Sequence, residues 1–554
     1  MSPLARVLVV GLDGATFDVI DPLIEAGRLP NLAAWKASGV AAPLLSTVPA
    51  MSFPAWSTFL TGLDPGRHGV FDFTQKLRGA YRIRFVNATH RRGASLFTRL
   101  TRVGGRVLAL GVPATFPPEP AAGLLVAGFD APVSTGSDER SASDPALYRS
   151  IAARVGPWMR PDLDEGARAP DWHERAPAAL VARIERKTNF ALEALAELRR
   201  RGDGAGPQLA VVVFAESDTV AHHFWRDFDP RSPRHDPSAS AGRRNAVAAV
   251  YERLDAACGE LRAAFGEDAL CVAISDHGSG GASRRIVHLG RRLEQCGLLR
   301  RVPRPALALD ALARAARDSA LRALPPRAAQ RVFRRARGAA ARVESAARFG
   351  GIDWRHTVAF SEEANTQPGV WINLRGREAR GAVEPADYER VRSQVIDCLR
   401  DWKLPGGGPV VAWARRREEV YDGPCVERAP DVVLELALDA GYGLSLVPTP
   451  WADARADSLR TLADDELAGG RGRGMNGTHR PYGIWIAAGP GAERLAATGA
   501  APALHDVAPT LASAMGLAWE DERDGAPLAG PAVEYTPEEE AKVAARLRAL
   551  GYLE

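Results

Sequence analysis

The chain has 554 residues, of which 46% are hydrophobic and 25% charged, which suits one large domain with insertions or two to four domains. The formal net charge of +4 is small for this length and gives no support for binding to a nucleic-acid polymer. We see no apolar run near the roughly 18 residues that cross a bilayer, and no basic-then-apolar signal segment before the first strand. We therefore expect a cytoplasmic protein with no transmembrane segment.

Residues 1–130 alternate apolar strand-like runs with helical stretches, which predicts the first part of an α/β core. One helical stretch, 18–38, is broken by Gly27 and Pro30. Residues 131–205 are first rich in Ser, Asp, Arg and Pro and then strongly helical, so we interpret them as an insertion or cap. The sheet pattern resumes over residues 206–299, the second part of the core.

The second half of the chain changes character twice. Residues 300–352 are rich in Arg and Ala and predict a basic helical insertion, either a solvated helical surface or a face for anionic substrates or membranes. Residues 353–440 predict a small α/β subdomain, 441–535 the last part of the core, and 536–554 a C-terminal helix. The whole predicts a mostly parallel central sheet flanked by helices, with helical cap segments inserted.

The cysteines give no sign of a disulfide framework. They are odd in number and form no CxxC pair, which also disfavours a thiolate zinc cluster. Cys271 lies inside an apolar run and is expected to be a small core residue. The five are Cys258, Cys271, Cys296, Cys398 and Cys425.

Acidic residues and histidines follow several predicted strands. Asp13 follows the first, Asp218 follows the run 209–214, and Asp276 with His277 follows the run 270–274. In an open parallel sheet, residues at the carboxyl ends of the strands converge on one crevice. Asp and neutral His are suitable ligands for zinc and similar cations, so the pattern indicates a metal site. Taken singly, each of these residues is also typical of an ordinary turn.

Asp218 and His222 are four residues apart, which on a helix places both on one face. Such a pair is able to hold one cation, or is simply a surface contact. The adjacent His223 would point elsewhere. After His277, the Gly- and Ser-rich residues 278–281 predict a loop.

Ser52 begins a segment that predicts the start of a helix, with Ser52 as N-cap and Pro54 in the first turn. A hydroxyl at a helix N-terminus meets unpaired backbone N–H groups and a positive dipole end, which suits a phosphate. A metal contact would make that hydroxyl a nucleophile. His479 lies in a predicted loop and points to metal binding only in combination with the other residues.

The order and spacing of these segments resemble the alkaline phosphatase superfamily, specifically its type I phosphodiesterase/nucleotide pyrophosphatase branch. The chain is similar to prokaryotic members described as predicted phosphohydrolases or phosphomutases. The resemblance runs nearly end to end and implies an alkaline phosphatase-like core. It is carried by residues 9–14, 52–69, 275–278, 477–479, 486–491 and 506–510.

This resemblance implies two divalent metal ions, with zinc expected and manganese or iron as alternatives. Ser52 would attack phosphorus in line, form a phosphoserine and be released by water. The substrate would be a small phosphate monoester or diester. The implied ligands are Ser52, Asp13, Asp276 and His277 for one metal, and Asp218, His222 and His479 for the other.

Departures from the family pattern narrow the function. Trp56 stands where the sulfatase branch has an Arg, which argues against a sulfatase. The Asn that holds a non-bridging oxygen in nucleotide pyrophosphatases is missing from residues 70–73. Asp72, His223 and Arg480 are further candidates for contacts with substrate.

Two alternatives stay open at this point. The phosphoserine would pass to a second hydroxyl in a phosphoryl transferase or phosphomutase, which a cap that excludes water would favour. A non-catalytic metal-binding protein would keep the fold and the metals, although it would have no need of Ser52.

Overall fold

The computed structural model describes residues 5–128, 139–158, 171–202, 204, 206–302, 341, 344–346, 348–449, 457–469, 473–495, 501–519 and 522–528. The expected C-terminal helix at 536–554 and most of the expected basic insertion at 300–352 lie outside these residues. Within them, no helix is both long and apolar enough to cross a membrane.

Strands and helices alternate through the described residues. The strands are β1 (Val7–Leu12), β2 (Val40–Leu45), β3 (Thr74–Lys76), β4 (Ile83–Phe85), β5 (Val107–Val112), β6 (Gly123–Ala127), β7 (Leu209–Phe214), β8 (Leu270–Ile274), β9 (Gly278–Val287), β10 (Ala359–Phe360), β11 (Gly369–Ile372), β12 (Val411–Arg416), β13 (Val432–Leu436), β14 (Leu438–Asp439), β15 (Tyr442–Leu446), β16 (Leu459–Thr461), β17 (Gly477–Arg480) and β18 (Tyr482–Ala488). The α-helices are α1 (Phe17–Glu25), α2 (Pro30–Ser38), α3 (Ser52–Thr61), α4 (Pro65–His68), α5 (Leu96–Arg102), α6 (Pro145–Val155), α7 (Trp172–Arg201), α8 (Glu216–Phe228), α9 (Ala241–Arg244), α10 (Ala246–Phe265), α11 (Leu289–Gln295), α12 (Tyr388–Arg400) and α13 (Leu504–Ala514).

A central sheet of seven strands has the order β2-β18-β8-β1-β7-β5-β6. Strand β1 pairs in parallel with β7 and β8, and β5 pairs in parallel with β6 and β7. Strand β18 runs antiparallel to both of its neighbours, β2 and β8. The expected α/β fold with a mostly parallel central sheet is therefore confirmed, and its parallel strands end along one edge.

Helices cover both faces of this sheet. Every residue of β1, β7 and β8 is buried, as expected for parallel strands enclosed on two sides. Leu8 and Val10 of β1 pack in a cluster with residues of α7 and α10. Val7 and Val9 pack on the opposite face with residues of α3 and α13. The predicted break between α1 and α2 at Gly27 and Pro30 is confirmed.

The described part of residues 131–205 includes α7, which packs as a layer of the core. Leu180, Ile184 and Leu195 of α7 are buried in the same cluster as residues of β1 and β7. An amphipathic pattern shows that one helix face is buried, but it does not reveal which surface buries it. The role of the whole segment as an insertion or cap stays a prediction.

Residues 278–281 begin the strand β9 and do not form the expected loop. This strand pairs with β15, β16 and β17 in a second sheet. A Cβ atom at Gly278 would lie 2.1 Å from the Tyr482 carbonyl oxygen, and one at Gly281 would lie 2.8 Å from the Trp225 ring. The glycines permit close approach of neighbouring segments, a use that the sequence alone does not distinguish from a turn.

Residues 353–440 contain a separate antiparallel sheet in the order β10-β11-β13-β12. Val391, Val395 and Leu399 of α12 are buried in one cluster with residues of these strands. A strand-and-helix unit thus occupies the stretch where a small α/β subdomain was expected.

A disulfide joins Cys296, which follows α11, to Cys398 of α12, with Cα atoms 6.2 Å apart. This pairing corrects the expectation of a chain without disulfides, and it removes one reason for expecting a reduced, cytoplasmic protein. Cys258, Cys271 and Cys425 are buried free thiols, and Cys271 is the core residue expected.

The disulfide predicts that denatured, unreduced protein has three titratable thiols and that reduction raises this number to five. Because the bridge closes a separation of 102 residues, we expect reduction to lower the free energy of unfolding by roughly 2–5 kcal/mol. Thiol titration and urea denaturation measure these values. Five reactive thiols before reduction would show that the bridge does not form.

Candidate metal centre

The predicted ligands lie at the carboxyl edge of the central sheet. Asp13 follows β1 and Asp276 follows β8, and these strands pair in parallel with Gly11 opposite Ile274, so both carboxylates leave the sheet side by side. Asp218 lies in the first turn of α8, directly after β7.

Asp218, His222 and His479 form one group, with ligand atoms within 4.8 Å of one another. The Asp218 Oδ1 atom lies 3.3 Å from His222 Nε2 and 3.5 Å from His479 Nε2. The first two residues are one turn apart on α8, as their spacing predicted. Strand β17 supplies the third, and Asn476 just before it donates its backbone N–H to the His222 carbonyl oxygen. These are the three residues that the resemblance assigned to one metal.

Asp13, Asp218 and His277 form a second group within the same 4.8 Å limit. The His277 Nε2 atom lies 3.7 Å from Asp13 Oδ1 and 3.4 Å from Asp276 Oδ2. The resemblance implied Asp13, Asp276 and His277 for one metal. The group whose ligand atoms lie within 4.8 Å contains Asp218 in place of Asp276. Asp218 belongs to both groups, so the two candidate sites adjoin.

All three histidines have the same tautomer. Each Nδ1 atom faces a backbone carbonyl oxygen, which only accepts hydrogen bonds, so each Nδ1 carries the proton and each neutral ring keeps a lone pair on Nε2. The Nε2 atoms of His222 and His479 lie 3.1 Å apart, where two lone pairs repel unless a proton or cation lies between them. Histidine ligands of metals are commonly oriented by such a bond from the second nitrogen. The acceptors are Gly477 (2.9 Å from His222), Gly278 (3.0 Å from His277) and Ala50 (2.9 Å from His479).

The carboxylates of these groups are buried and close together. Burial raises the pKa of Asp13 well above its usual range, and the charges of Asp276 and Asp218 raise it further. Burial also raises the pKa of Asp276 to about 7, with Asp218 contributing. For Asp218, burial opposes ionisation, but His222 and His479 together hold the pKa below its usual range.

The donor set fits a divalent cation. The Asp276 Oδ2 and His277 Nε2 atoms are buried and make no hydrogen bond to any described residue. Buried polar atoms normally have partners, so such orphaned atoms at a cluster of carboxylates call for a positive ligand. Imidazole nitrogen and carboxylate oxygen are the usual donors for zinc, with manganese and iron also compatible.

The raised pKa of Asp276 predicts how pH affects the metal-free protein. A carboxyl with a higher pKa in the folded state binds more protons when folded, so the free energy of unfolding falls as the pH rises from about 4 towards about 7. A bound cation favours the carboxylate and removes this loss. We therefore expect the rise in melting temperature on adding Zn²⁺ to chelator-treated protein to be larger at pH 8 than at pH 5. Thermal scans with and without Zn²⁺ at each pH measure this rise in melting temperature. An equal rise at both pH values would contradict the prediction.

Two side chains of α3 donate hydrogen bonds to the Asp13 carboxylate. The Ser52 Oγ atom donates to Asp13 Oδ1 at 3.4 Å, and Trp56 Nε1 donates to Asp13 Oδ2 at 3.1 Å. Ser52 is the first residue of α3 and Met51 is the N-cap, so the prediction of Ser52 as N-cap is wrong. The Ser52 hydroxyl faces Asp13 instead. Trp56 was missed as an Asp13 contact, although its spacing of four from Ser52 places both on one helix face.

Gly14 is required by the same geometry. Its φ is +66°, and a Cβ atom there would lie 3.0 Å from Asp218 Oδ1. Its backbone N–H donates to Asp276 Oδ1 at 3.1 Å. The turn after β1 therefore needs a glycine for two reasons. Its backbone has a positive φ, and a side chain there would crowd the Asp218 carboxylate.

His223 does not join the ligand groups. It is 2% exposed, and its ring lies 4.7 Å from that of Trp172, so this side chain packs towards α7. A contact between His223 and substrate stays a prediction.

Arg480 and Asp72 already have protein partners. The Arg480 guanidinium donates to the carbonyl oxygens of Gly281, Gly441 and His479 and to the Thr478 hydroxyl, and burial lowers its pKa to about 10. The Asp72 carboxylate accepts from the Phe73 N–H and the Thr74 hydroxyl, and burial raises its pKa. Any contact of either residue with substrate stays a prediction.

Comparison with solved structures shows similarity to phosphonoacetate hydrolase from Sinorhizobium meliloti 1021 in complex with phosphonoformate, at 14% identity and a TM-score of 0.50 over 93% of this chain and 96% of that one. Human ectonucleotide pyrophosphatase/phosphodiesterase 5 aligns at 11% identity and a TM-score of 0.45, over 94% of this chain and 97% of that one. At such identities the likeness concerns the fold alone.

Among proteins of curated function, none matches the chain significantly. The family model named type I phosphodiesterase/nucleotide pyrophosphatase matches residues 7–444, well over half of the chain. The chain therefore belongs to the type I phosphodiesterase/nucleotide pyrophosphatase family, a family of phosphoester hydrolases.

Proposed function

We propose that the protein is a two-metal phosphoester hydrolase that uses Ser52 as its nucleophile. The observation that carries this proposal is the position of the Ser52 hydroxyl. It is 5% exposed, lies 3.4 Å from Asp13 Oδ1, and stands at the N-terminus of α3 beside the converging imidazole and carboxylate groups. A hydroxyl in such surroundings suits attack on a bound phosphate.

The proposed ligands divide as the family resemblance implies, except that Asp218 is shared between the two sites. Asp13, Asp276 and His277 would hold one cation next to Ser52, and Asp218 would contribute to both sites because it belongs to both groups. His222 and His479 would complete the second site. When bound, two such cations lower the pKa of a hydroxyl and stabilise charge on the attacking and leaving oxygens.

The chain's own groups then account for the chemistry. Ser52 is oriented by its hydrogen bond to Asp13, and its Oγ atom attacks phosphorus in line with the leaving oxygen. The Oγ–P bond forms and the ester P–O bond breaks, while the proton lost by the Ser52 hydroxyl passes through solvent to the leaving oxygen, which departs as an alcohol. Water then attacks the phosphoserine from the opposite side, the Oγ–P bond breaks, one proton of the water goes to Ser52, and the water oxygen stays on the phosphate.

The proposed substrate is a small phosphate monoester or diester. The missing Asn in residues 70–73 argues against a nucleotide pyrophosphatase that holds phosphate in the usual way. A phosphoryl transferase would need a cap that excludes water, which residues 131–205 or 300–350 would supply. Helix α7, in the described part of 131–205, packs in the core, which supports hydrolysis over transfer.

A cation-dependent assay on two model substrates tests this function. Purified protein is stripped with a chelator, reloaded with Zn²⁺, Mn²⁺ or Fe²⁺, and assayed with p-nitrophenyl phosphate and bis-p-nitrophenyl phosphate. We expect turnover of at least one ester only after reloading, with inorganic phosphate or the monoester as product. Protein that binds none of these cations and cleaves neither ester would contradict the proposal. Transfer of phosphate to added glycerol in place of water would favour the transferase.

A further inference from the structure

Three buried serine hydroxyls converge on the turn that carries Asp13. We name Ser217, Ser275 and Ser279 the serine collar. Two of them are 0% exposed and the third, Ser279, is 2% exposed. Their Oγ atoms donate to three consecutive carbonyl oxygens: Ser217 to Asp13 at 2.7 Å, Ser279 to Gly14 at 2.7 Å and Ser275 to Ala15 at 2.8 Å.

Each serine of the collar stands next to a proposed metal ligand. Ser217 directly precedes Asp218, and Ser275 directly precedes Asp276. Ser279 lies two residues after His277, and its backbone pairs with that of His479. The turn after β1 is thereby bonded to α8, to the residue that follows β8, and to β9, which pairs with β17. These segments carry ligands of both groups.

The backbone N–H groups of the turn supply only part of these links. The Asp13 and Ala15 N–H groups donate to the carbonyl oxygens of Phe214 and Leu12, while the Gly14 N–H donates to the Asp276 side chain. The hydrogen bonds that join the turn's carbonyl oxygens to the other ligand segments come from the collar. Removing one serine would leave a buried carbonyl oxygen without that donor and loosen one link between ligands.

We propose that the serine collar is a positioning device that sets the separation of Asp13 from the other ligands before any cation binds. This inference rests on the proposed function, because it needs the two groups to hold metal. Side chains that orient ligands from outside the coordination sphere commonly determine how tightly a metal is held. The collar serines hydrogen-bond to the backbone of the turn that carries Asp13 and would act on the ligands through it.

The decisive variants are Ser217→Ala and Ser279→Ala, since each removes a single hydrogen bond. Ser275 also accepts from the Ile484 N–H at 2.8 Å, so its replacement disturbs the sheet as well. The matched control is Thr188→Val, which removes a fully buried hydroxyl that donates to the Ile184 carbonyl oxygen at 2.8 Å within α7, a helix with none of the ligands.

Zn²⁺ affinity is measured by competition with a chromophoric chelator, and folding by circular dichroism and thermal scans. We expect both collar variants to fold and to bind Zn²⁺ about 10–100-fold more weakly than the parent. The control should keep the parent affinity. A role limited to satisfying buried carbonyl oxygens would lower the thermal stability of the two collar variants and leave the Zn²⁺ affinity of all three variants unchanged.

A double-variant cycle identifies the route of the effect. In an Asp13→Asn background, Ser217→Ala should weaken Zn²⁺ binding by much less than it does in the parent, because the ligand that it positions has already been changed. An equal loss in both backgrounds would overturn the inference that the collar acts through Asp13.

The collar and the proposed function fail in different ways. If the parent binds Zn²⁺ and cleaves an ester while folded Ser217→Ala and Ser279→Ala match its affinity, the collar is excluded and the proposed function stands. If the parent itself binds none of the tested cations, both are excluded.

Discussion

Replacing Ser52 with alanine is expected to lower kcat for the model ester by about 1000-fold or more while leaving the metal content unchanged. Removal of the nucleophile from a covalent mechanism causes losses of this order or greater, because the remaining groups bind and polarise substrate without supplying the attacking atom. The protein part of the site keeps its six carboxylate and imidazole ligands, of which only Asp13 loses a hydrogen bond from Ser52. Steady-state kinetics and elemental analysis of the same preparation measure the two quantities.

Ser57→Ala provides the matched control for this experiment. Ser57 lies in the same helix, is fully buried, and its hydroxyl makes no hydrogen bond to a described residue. We expect this variant to retain the kcat of the parent. Parent-like turnover by Ser52→Ala would exclude Ser52 as the nucleophile, and loss of metal together with turnover would make it a ligand instead.

The neighbouring histidines of α8 should respond in opposite ways to replacement by alanine. His222→Ala removes an Nε2 donor that lies 3.3 Å from Asp218 and 3.1 Å from His479, so we expect loss of one equivalent of metal and of most activity. His223→Ala removes a ring packed against Trp172, so we expect it to cost about 1–3 kcal/mol of stability and to leave the metal content unchanged.

Elemental analysis measures the metal content of both variants, and urea denaturation measures their stability. Because the two residues are adjacent, general damage to α8 would affect both variants alike. A full complement of metal in His222→Ala would remove that residue from the proposed ligands. Loss of metal from stable His223→Ala would return it to the site, against its position in the structure.

Much of the site was predictable because its residues follow local rules. The spacing of Asp218 and His222 indicated one helix face, and both lie on α8. Asp13 and Asp276 follow continuous apolar runs, which indicated buried parallel strands, and the carboxyl ends of such strands share one edge. Those patterns depend only on neighbours along the chain, so they can be interpreted before the fold is known.

The rest depended on tertiary contacts that no local pattern encodes. Helix α7 was predicted, but whether it covers the core or belongs to it depends on the surface that buries its apolar face. Residues 278–281 have the composition of a turn and become a strand because neighbouring backbones pack against their glycines. The bond between Cys296 and Cys398 joins positions 102 residues apart, and the serine collar consists of common residues whose partners are distant in sequence.

The antiparallel strand β18 affects when the site can be assembled during synthesis. Strand β2 leads directly to Ser52 and is joined to the central sheet through β18 alone, which is made more than 400 residues later. While the ribosome is still translating the middle of the chain, β2 therefore lacks the strand with which it pairs in the described structure. Catalytic competence arises late, after the C-terminal portion has emerged, and a truncated product that ends before Tyr482 would lack this pairing partner of β2.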